Sequence, residues 1–218
     1  MESSKTSQLR PVPNAPTDLE RVQEKLRDLG HDPTKHTLAV LPAFDRPLGN
    51  VSKQQRRAFA DRIGQIATEY CKQTGDATPL PENLLPPSTT VAHACGTCRG
   101  YCCHSGGDHA HLSRQTFARV LANSDGLSIE DVVRAYLELV PEQHYKGSCV
   151  YHTDSGCRLP RNLRSDTCNH FHCSGVQPLA TMTSDKPSPP TVVAAMKGEK
   201  IVRLVVIQDD DAKILFGK

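Results

Sequence analysis

Thiols are the side chains in this chain whose type and spacing could do chemistry. The first group reads Cys95-Gly-Thr-Cys98-Arg-Gly-Tyr-Cys102-Cys103-His104. A two-residue gap between Cys95 and Cys98 lets both sulfurs turn toward one metal, at about 2.3 Å for Zn²⁺, with backbone amides aimed at the thiolates. Gly96 and Gly100 permit the positive φ values of such a knuckle. Cys102 lies within reach as a third ligand, and Cys103 either joins it through a tight turn or faces a second centre. The second group is Cys149, Cys157, Cys168 and Cys173, with gaps of seven, ten and four residues. Four thiolates plus four suit two four-thiolate centres, or one cluster with spare thiols. Zinc and iron–sulfur clusters both accept four Cys, and the spacing is not that of the common ferredoxins. The competing reading makes Cys95 and Cys98 a thioredoxin-like redox pair, although the βαβ pattern that accompanies such pairs is missing. Cys71 stands alone on an amphipathic pattern and reads as a buried apolar residue.

The stretch Cys95–Cys103, followed by Gly156-Cys157-Arg-Leu-Pro-Arg-Asn-Leu-Arg164-Ser165-Asp-Thr-Cys168-Asn-His-Phe171-His-Cys173, resembles the CxxCxxCC, or YkgJ-like, cysteine-cluster family of zinc- or iron-chelating proteins. The resemblance covers residues 95–175. Three residues separate Cys98 from Cys102 here, where the family's commoner pattern has two. The resemblance implies Cys95, Cys98, Cys102, Cys103, Cys157 and Cys168 as ligands, with Cys149 and Cys173 as further candidates.

Other polar residues gather near the thiols. His109 and His111 alternate, so an extended segment would turn both to one side, while solvated loop residues would look the same in sequence. His104, beside the first cysteine group, could ligate or be a solvated loop residue, and His170 and His172 could ligate or could donate hydrogen bonds to thiolates. Arg158, Arg161 and Arg164 are expected to offset thiolate charge and to bond to sulfur or to backbone carbonyls rather than to recognise phosphate. No P-loop, dinucleotide fingerprint, Ser/His/Asp motif or HExxH motif is present.

These residues need elements to place them. Thr17 as N-cap and Leu19, Val22, Leu26 and Leu29 on one face predict a helix stopped by Gly30. Ser52 with Gln55 is a capping box opening a helix through Phe59, Ile63, Ile66, Ala67 and Tyr70 to Gly75. Ser113 and Ser128 cap two more, carrying Phe117, Val120 and Leu121, and Val132, Tyr136 and Val140 respectively. Residues 31–50 read as a loop with one short strand over Thr37–Leu41, and Thr191–Ala195 with Ile201–Ile207 as a β-hairpin closed by an acidic turn at 209–211.

The expected fold is therefore α+β, mostly α-helical and loop-rich: a Cys-cluster metal-binding domain with a C-terminal β-hairpin. The expected division is a flexible arm (1–16), a helical region with a Pro-rich connector (17–90), the Cys-cluster domain (91–175), a linker (176–190) and the hairpin with its tail (191–218). A net charge of +2 and 5% aromatic residues argue against nucleic acid as a partner. No run is long and apolar enough for a membrane span. Nine cysteines cannot all pair internally, and the first residues lack the apolar core of a secretory signal, which points to a reducing cytoplasm. Three functional readings follow: a chelator of zinc or an iron–sulfur centre with the metal ion as its partner, an iron–sulfur redox or protein-modification enzyme, and a zinc-organised adaptor for a protein partner.

Overall fold

In the computed structural model the residues described are 17–72, 88–124, 126–181, 189–209 and 211–217. The expected arm, most of the Pro-rich connector with Gly75, and residues 182–188 of the expected linker lie outside them. In chain order the elements are α1 (Asp18–Asp28), β1 (Thr37–Pro42), β2 (Leu48–Asn50), α2 (Lys53–Lys72), α3 (Thr89–Cys98), α4 (Arg114–Ala122) and α5 (Ile129–Glu138). There follow β3 (Gln143–Tyr145), β4 (His152–Thr153), β5 (Gly156–Cys157), α6 (Asp166–His170), α7 (Gln177–Ala180), β6 (Thr191–Lys197), β7 (Lys200–Gln208) and β8 (Asp211–Phe216).

Local chemistry sets the helix starts. Thr17 and Glu20 close a reciprocal box, the Thr17 amide donating to the Glu20 carboxylate at 2.6 Å and the Glu20 amide to the Thr17 hydroxyl at 3.3 Å. Ser52 with Gln55, Ser113 with Thr116 and Ser128 with Asp131 repeat the device. Gly30, at φ 79°, follows the end of α1 in the left-handed region.

The strands at the two ends of the described chain form one sheet in the order β1-β6-β7-β8. β1 runs parallel to β6, Thr37 opposite Thr191 through Pro42 opposite Met196, and the remaining pairs are antiparallel. Alternation along the strands gives two apolar faces. Val192, Ala194, Met196 and Leu204 pack against Val22 and Leu26 of α1. Val193, Val205, Ile207, Ala39 and Leu41 pack against α3 and α7 through Val91, Ala94, Cys98 and Leu179. A second core lies among α2, α4 and α5, where Phe59, Ile63, Phe117, Val132 and Tyr136 meet Val150 and Tyr151. Phe117 stacks on Tyr136 at 5.5 Å.

The molecule is thus mixed α+β, and the sheet corrects the expected separate C-terminal hairpin. β6 and β7 do pair, but β6 is buried along six of its seven residues because β1 joins its other edge and helices cover both faces. The acidic turn leads into β8 rather than ending the sheet. No Cys-cluster metal-binding domain is evident among the described residues, for reasons seen at the thiols themselves.

Candidate functional site

The end of α3 sets the first thiols. Ser88 caps the helix by accepting from the Val91 amide at 3.3 Å, and the apolar stripe Val91, Ala94 and Cys98 lies on the sheet. The helix continues through Cys98, so Gly96 is helical and the expected knuckle between Cys95 and Cys98 does not form. The reversal comes afterwards, at Arg99 (φ 55°) and Gly100 (φ 65°), both left-handed. Only glycine adopts that geometry without strain, and a Cβ on Gly100 would stand 3.0 Å from His152 Nε2 and 3.2 Å from Cys103 Sγ. The turn aims the Gly100 and Tyr101 amides at the Cys98 sulfur, yet burial against the sheet outweighs them and pushes its thiol up.

A short 3₁₀ helix, Tyr101–Gly106, carries the adjacent pair. Cys103 packs on the helical core, and Cys102 is exposed. The adjacent Cys103 thiol, with the local amides and the charge of His104, holds the Cys102 thiol down to about 7 against the opposing effect of burial. Cys102 in turn, with burial, pushes Cys103 far above the ordinary thiol range. Cys102 is therefore the member of the pair that ionises, and Cys103 keeps its proton.

The facing wall is the β4–β5 hairpin, where His152 stands opposite Cys157. Buried His152 receives the Ser148 hydroxyl on Nδ1 at 2.8 Å and bonds the Arg99 carbonyl; burial lowers its pKa to about 4, so it is neutral at pH 7. The third wall is the segment through α6. Arg119, 2% exposed, bonds Asp166 at 2.8 Å, the Asn162 carbonyl at 2.8 Å and the Arg164 carbonyl. Tyr136 donates to Leu163 O at 2.8 Å, and Arg164 to Leu159 O at 2.8 Å and Cys157 O at 3.4 Å. Arg164 thus bonds carbonyls, as the basic stretch suggested. Ser165 caps α6 by accepting from the Cys168 amide at 3.1 Å and also bonds its thiol, which burial nevertheless pushes up. These walls enclose a cavity of about 680 Å³ lined by Cys95, Cys102, Cys103, Cys157 and Cys168, with Arg99, Arg161 and Arg164 around them.

The remaining expected residues fall elsewhere. Cys149 is buried beside Gly106, where a Cβ would come within 2.9 Å of it, and burial pushes its thiol up to about 12. Cys173 packs with Cys98 toward the sheet. Burial, reinforced by the thiols of Cys98, Cys102 and Cys173, takes Cys95 to about 12. Cys71 is exposed rather than buried. His109 and His111 lie in a turn, not an extended segment, with rings 5.1 Å apart. His104 Nδ1 is 2.6 Å from Tyr101 O and His170 Nδ1 is 2.9 Å from Asp166 O; His172 lines the cavity.

Among the described residues, no group of three or more His, Cys, Asp or Glu side chains is arranged to hold a metal ion. This corrects the expectation that Cys95, Cys98, Cys102, Cys103, Cys149, Cys157, Cys168 and Cys173 chelate zinc or an iron–sulfur centre. It corrects equally the metal-ion partner, the iron–sulfur enzyme, the zinc-organised adaptor and the resemblance to the CxxCxxCC family. The physical reason is partition. Cys98 and Cys173 pack with the sheet core and Cys149 with the helical core, while Cys95, Cys102, Cys103, Cys157 and Cys168 stand on different walls of one cavity without three of them gathering as ligands. No protein-family model, curated protein or solved structure matches the chain. Sequence reading also passed over His152, Ser148 and Arg99. The Asp154-Ser155-Gly156 turn was the available signal, since a tight hairpin there sets His152 against Cys157. Among the described residues, no helix is long and apolar enough to cross a membrane.

Proposed function

We propose that the cavity is a thiol–disulfide exchange site with Cys102 as its nucleophile, working within the segment 91–175 in the reducing cytoplasm. One observation carries this reading: Cys102 lines a small-molecule-sized cavity, and its neighbour Cys103 favours its ionisation near neutral pH. The Cys102 thiolate attacks one sulfur of a small disulfide, forming a mixed disulfide and releasing the other half as a thiolate. The leaving thiolate takes its proton from solvent, while Cys103 stays protonated. A second low-molecular-weight thiol, ionised in solvent, then attacks the mixed disulfide, takes the outer sulfur into a new disulfide and restores the Cys102 thiolate. The net reaction exchanges one thiol for another across the disulfide.

Limited labelling with iodoacetamide, followed by peptide mapping, tests this. Cys102 is expected to react first at pH 7, its rate rising with a midpoint near 7. Cys103→Ala removes the neighbouring thiol and should move the midpoint toward the ordinary thiol value of about 8.5, slowing labelling at pH 7 roughly three- to fourfold, the smaller thiolate fraction being partly offset by its greater nucleophilicity. First labelling elsewhere, or a midpoint unmoved in the variant, would overturn the assignment.

A further inference from the structure

We infer that Ser148 and His152 are a positioning pair for the exchange site, holding the turn from which Cys102 is presented. The inference rests on the exchange reading above and adds the residues that keep its nucleophile in place. One short stretch of chain, residues 148–152, meets the Cys102 segment at three points. The Cys149 amide donates to the Cys103 carbonyl at 3.0 Å, and the Val150 amide to the Gly107 carbonyl at 3.0 Å. Those two contacts hold the middle and the far end of the 3₁₀ helix. The near end, the left-handed Arg99–Gly100 turn, is held by a side chain instead. His152 bonds the Arg99 carbonyl, and its Nε2 lies so close to the turn that a Cβ on Gly100 would stand 3.0 Å from it.

The imidazole is 2% exposed and lies between the rings of Phe44 and Tyr145, with centroids 5.0 and 4.8 Å away. A phenyl ring would fill the same box; what imidazole adds is an N–H. Which nitrogen carries it is set by the partner of the other. Ser148, itself buried, stands 2.8 Å from Nδ1. With the hydroxyl donating there, the proton resides on Nε2, the nitrogen that faces the turn. His152 is neutral at pH 7, so the pair acts on Cys102 through geometry and not through charge. What it holds is the winding of the turn. The Cys103 amide donates to Gly100 O at 2.8 Å, and His104 Nδ1 lies 2.6 Å from Tyr101 O. The local amides and His104, which favour the Cys102 anion, keep their places only while that winding lasts.

The test follows the pH dependence of iodoacetamide labelling at Cys102 in the full chain, with the folding of each variant checked by its unfolding curve. His152→Leu and Ser148→Ala should each raise the labelling midpoint from near 7 by about half a unit or more, toward the ordinary thiol value of about 8.5. His152→Gln, whose side-chain amide reaches as far as Nε2, should restore it. Lost packing alone would lower stability in these variants and leave the midpoint in place. Should His152→Leu fail to fold, Ser148→Ala decides. A midpoint unmoved in either folded variant, or raised equally in His152→Gln, overturns the positioning role and leaves the thiolate reading standing. If the unaltered protein labels first at another cysteine, the thiolate reading itself falls, and the inference with it.

Discussion

Cys98 and Cys102 lie four positions apart, on either side of the Arg99–Gly100 turn, and their sulfurs behave in opposite ways. Both receive backbone amides. Cys98 closes α3 against the sheet, where loss of water dominates and the proton stays on sulfur. Cys102 sits on the 3₁₀ helix beside a second thiol, and there the anion is favoured. The amide donors and burial act on both sulfurs; the adjacent Cys103 thiol lowers Cys102 alone. Thiol chemistry in this molecule is therefore decided by a residue's immediate neighbours together with its burial.

The largest effect is expected from breaking the wall that makes Cys102 a cavity residue. Arg119→Ala leaves Asp166 and two carbonyls without their guanidinium and should cost about 3 kcal/mol in denaturant unfolding. Cys102 should then lose its selectivity in labelling.

Acid should act next, on the turn between the two thiols. His152 is neutral when folded, with its pKa lowered to about 4, whereas the unfolded chain binds a proton near the ordinary histidine value. Its stabilising contribution is thus complete above about pH 6.5 and declines as pH falls toward 4. By pH 4.5 the loss should reach about 2 kcal/mol, read from unfolding curves across that range and diminished in His152→Asn.

The smallest effect sharpens the contrast directly. Cys98→Ala should lower stability by about 1 kcal/mol, since it removes a buried sulfur, with the labelling midpoint at Cys102 unchanged. Cys102→Ala should abolish mixed-disulfide formation and move stability by less than about 0.5 kcal/mol. A reversal of these two outcomes would erase the distinction between the sites.

Features governed by neighbours in sequence were legible. The boxes at Thr17, Ser52, Ser113 and Ser128 mark helix starts that the structure has, because capping is a local exchange of hydrogen bonds. The strand at Thr37 and the pair around Met196–Lys200 were legible for the same reason. The parallel union of β1 with β6 was not, since nothing in either segment encodes its partner. The one hint was that Thr191–Met196 lacks the polar alternation of a half-exposed hairpin, as a strand covered on both faces does. The cysteine pattern misled because a Cys-x-x-Cys spacing fits a helical turn as well as a knuckle. Val91 and Ala94, which turn α3 toward the sheet, decide between them. The cavity wall depended on Arg119, a long-range clamp with no local signature.

The parallel pairing of β1 with β6 also orders events in time. While the chain emerges from the ribosome, α3 is complete long before β6 and β7 exist, so the surface meant to shield Cys98 arrives last. Until then the nascent polypeptide presents its sulfurs to solvent together, and a contact of such high sequence separation closes slowly. An oxidant encountered during that interval would trap the wrong cross-links before the native arrangement could protect against them.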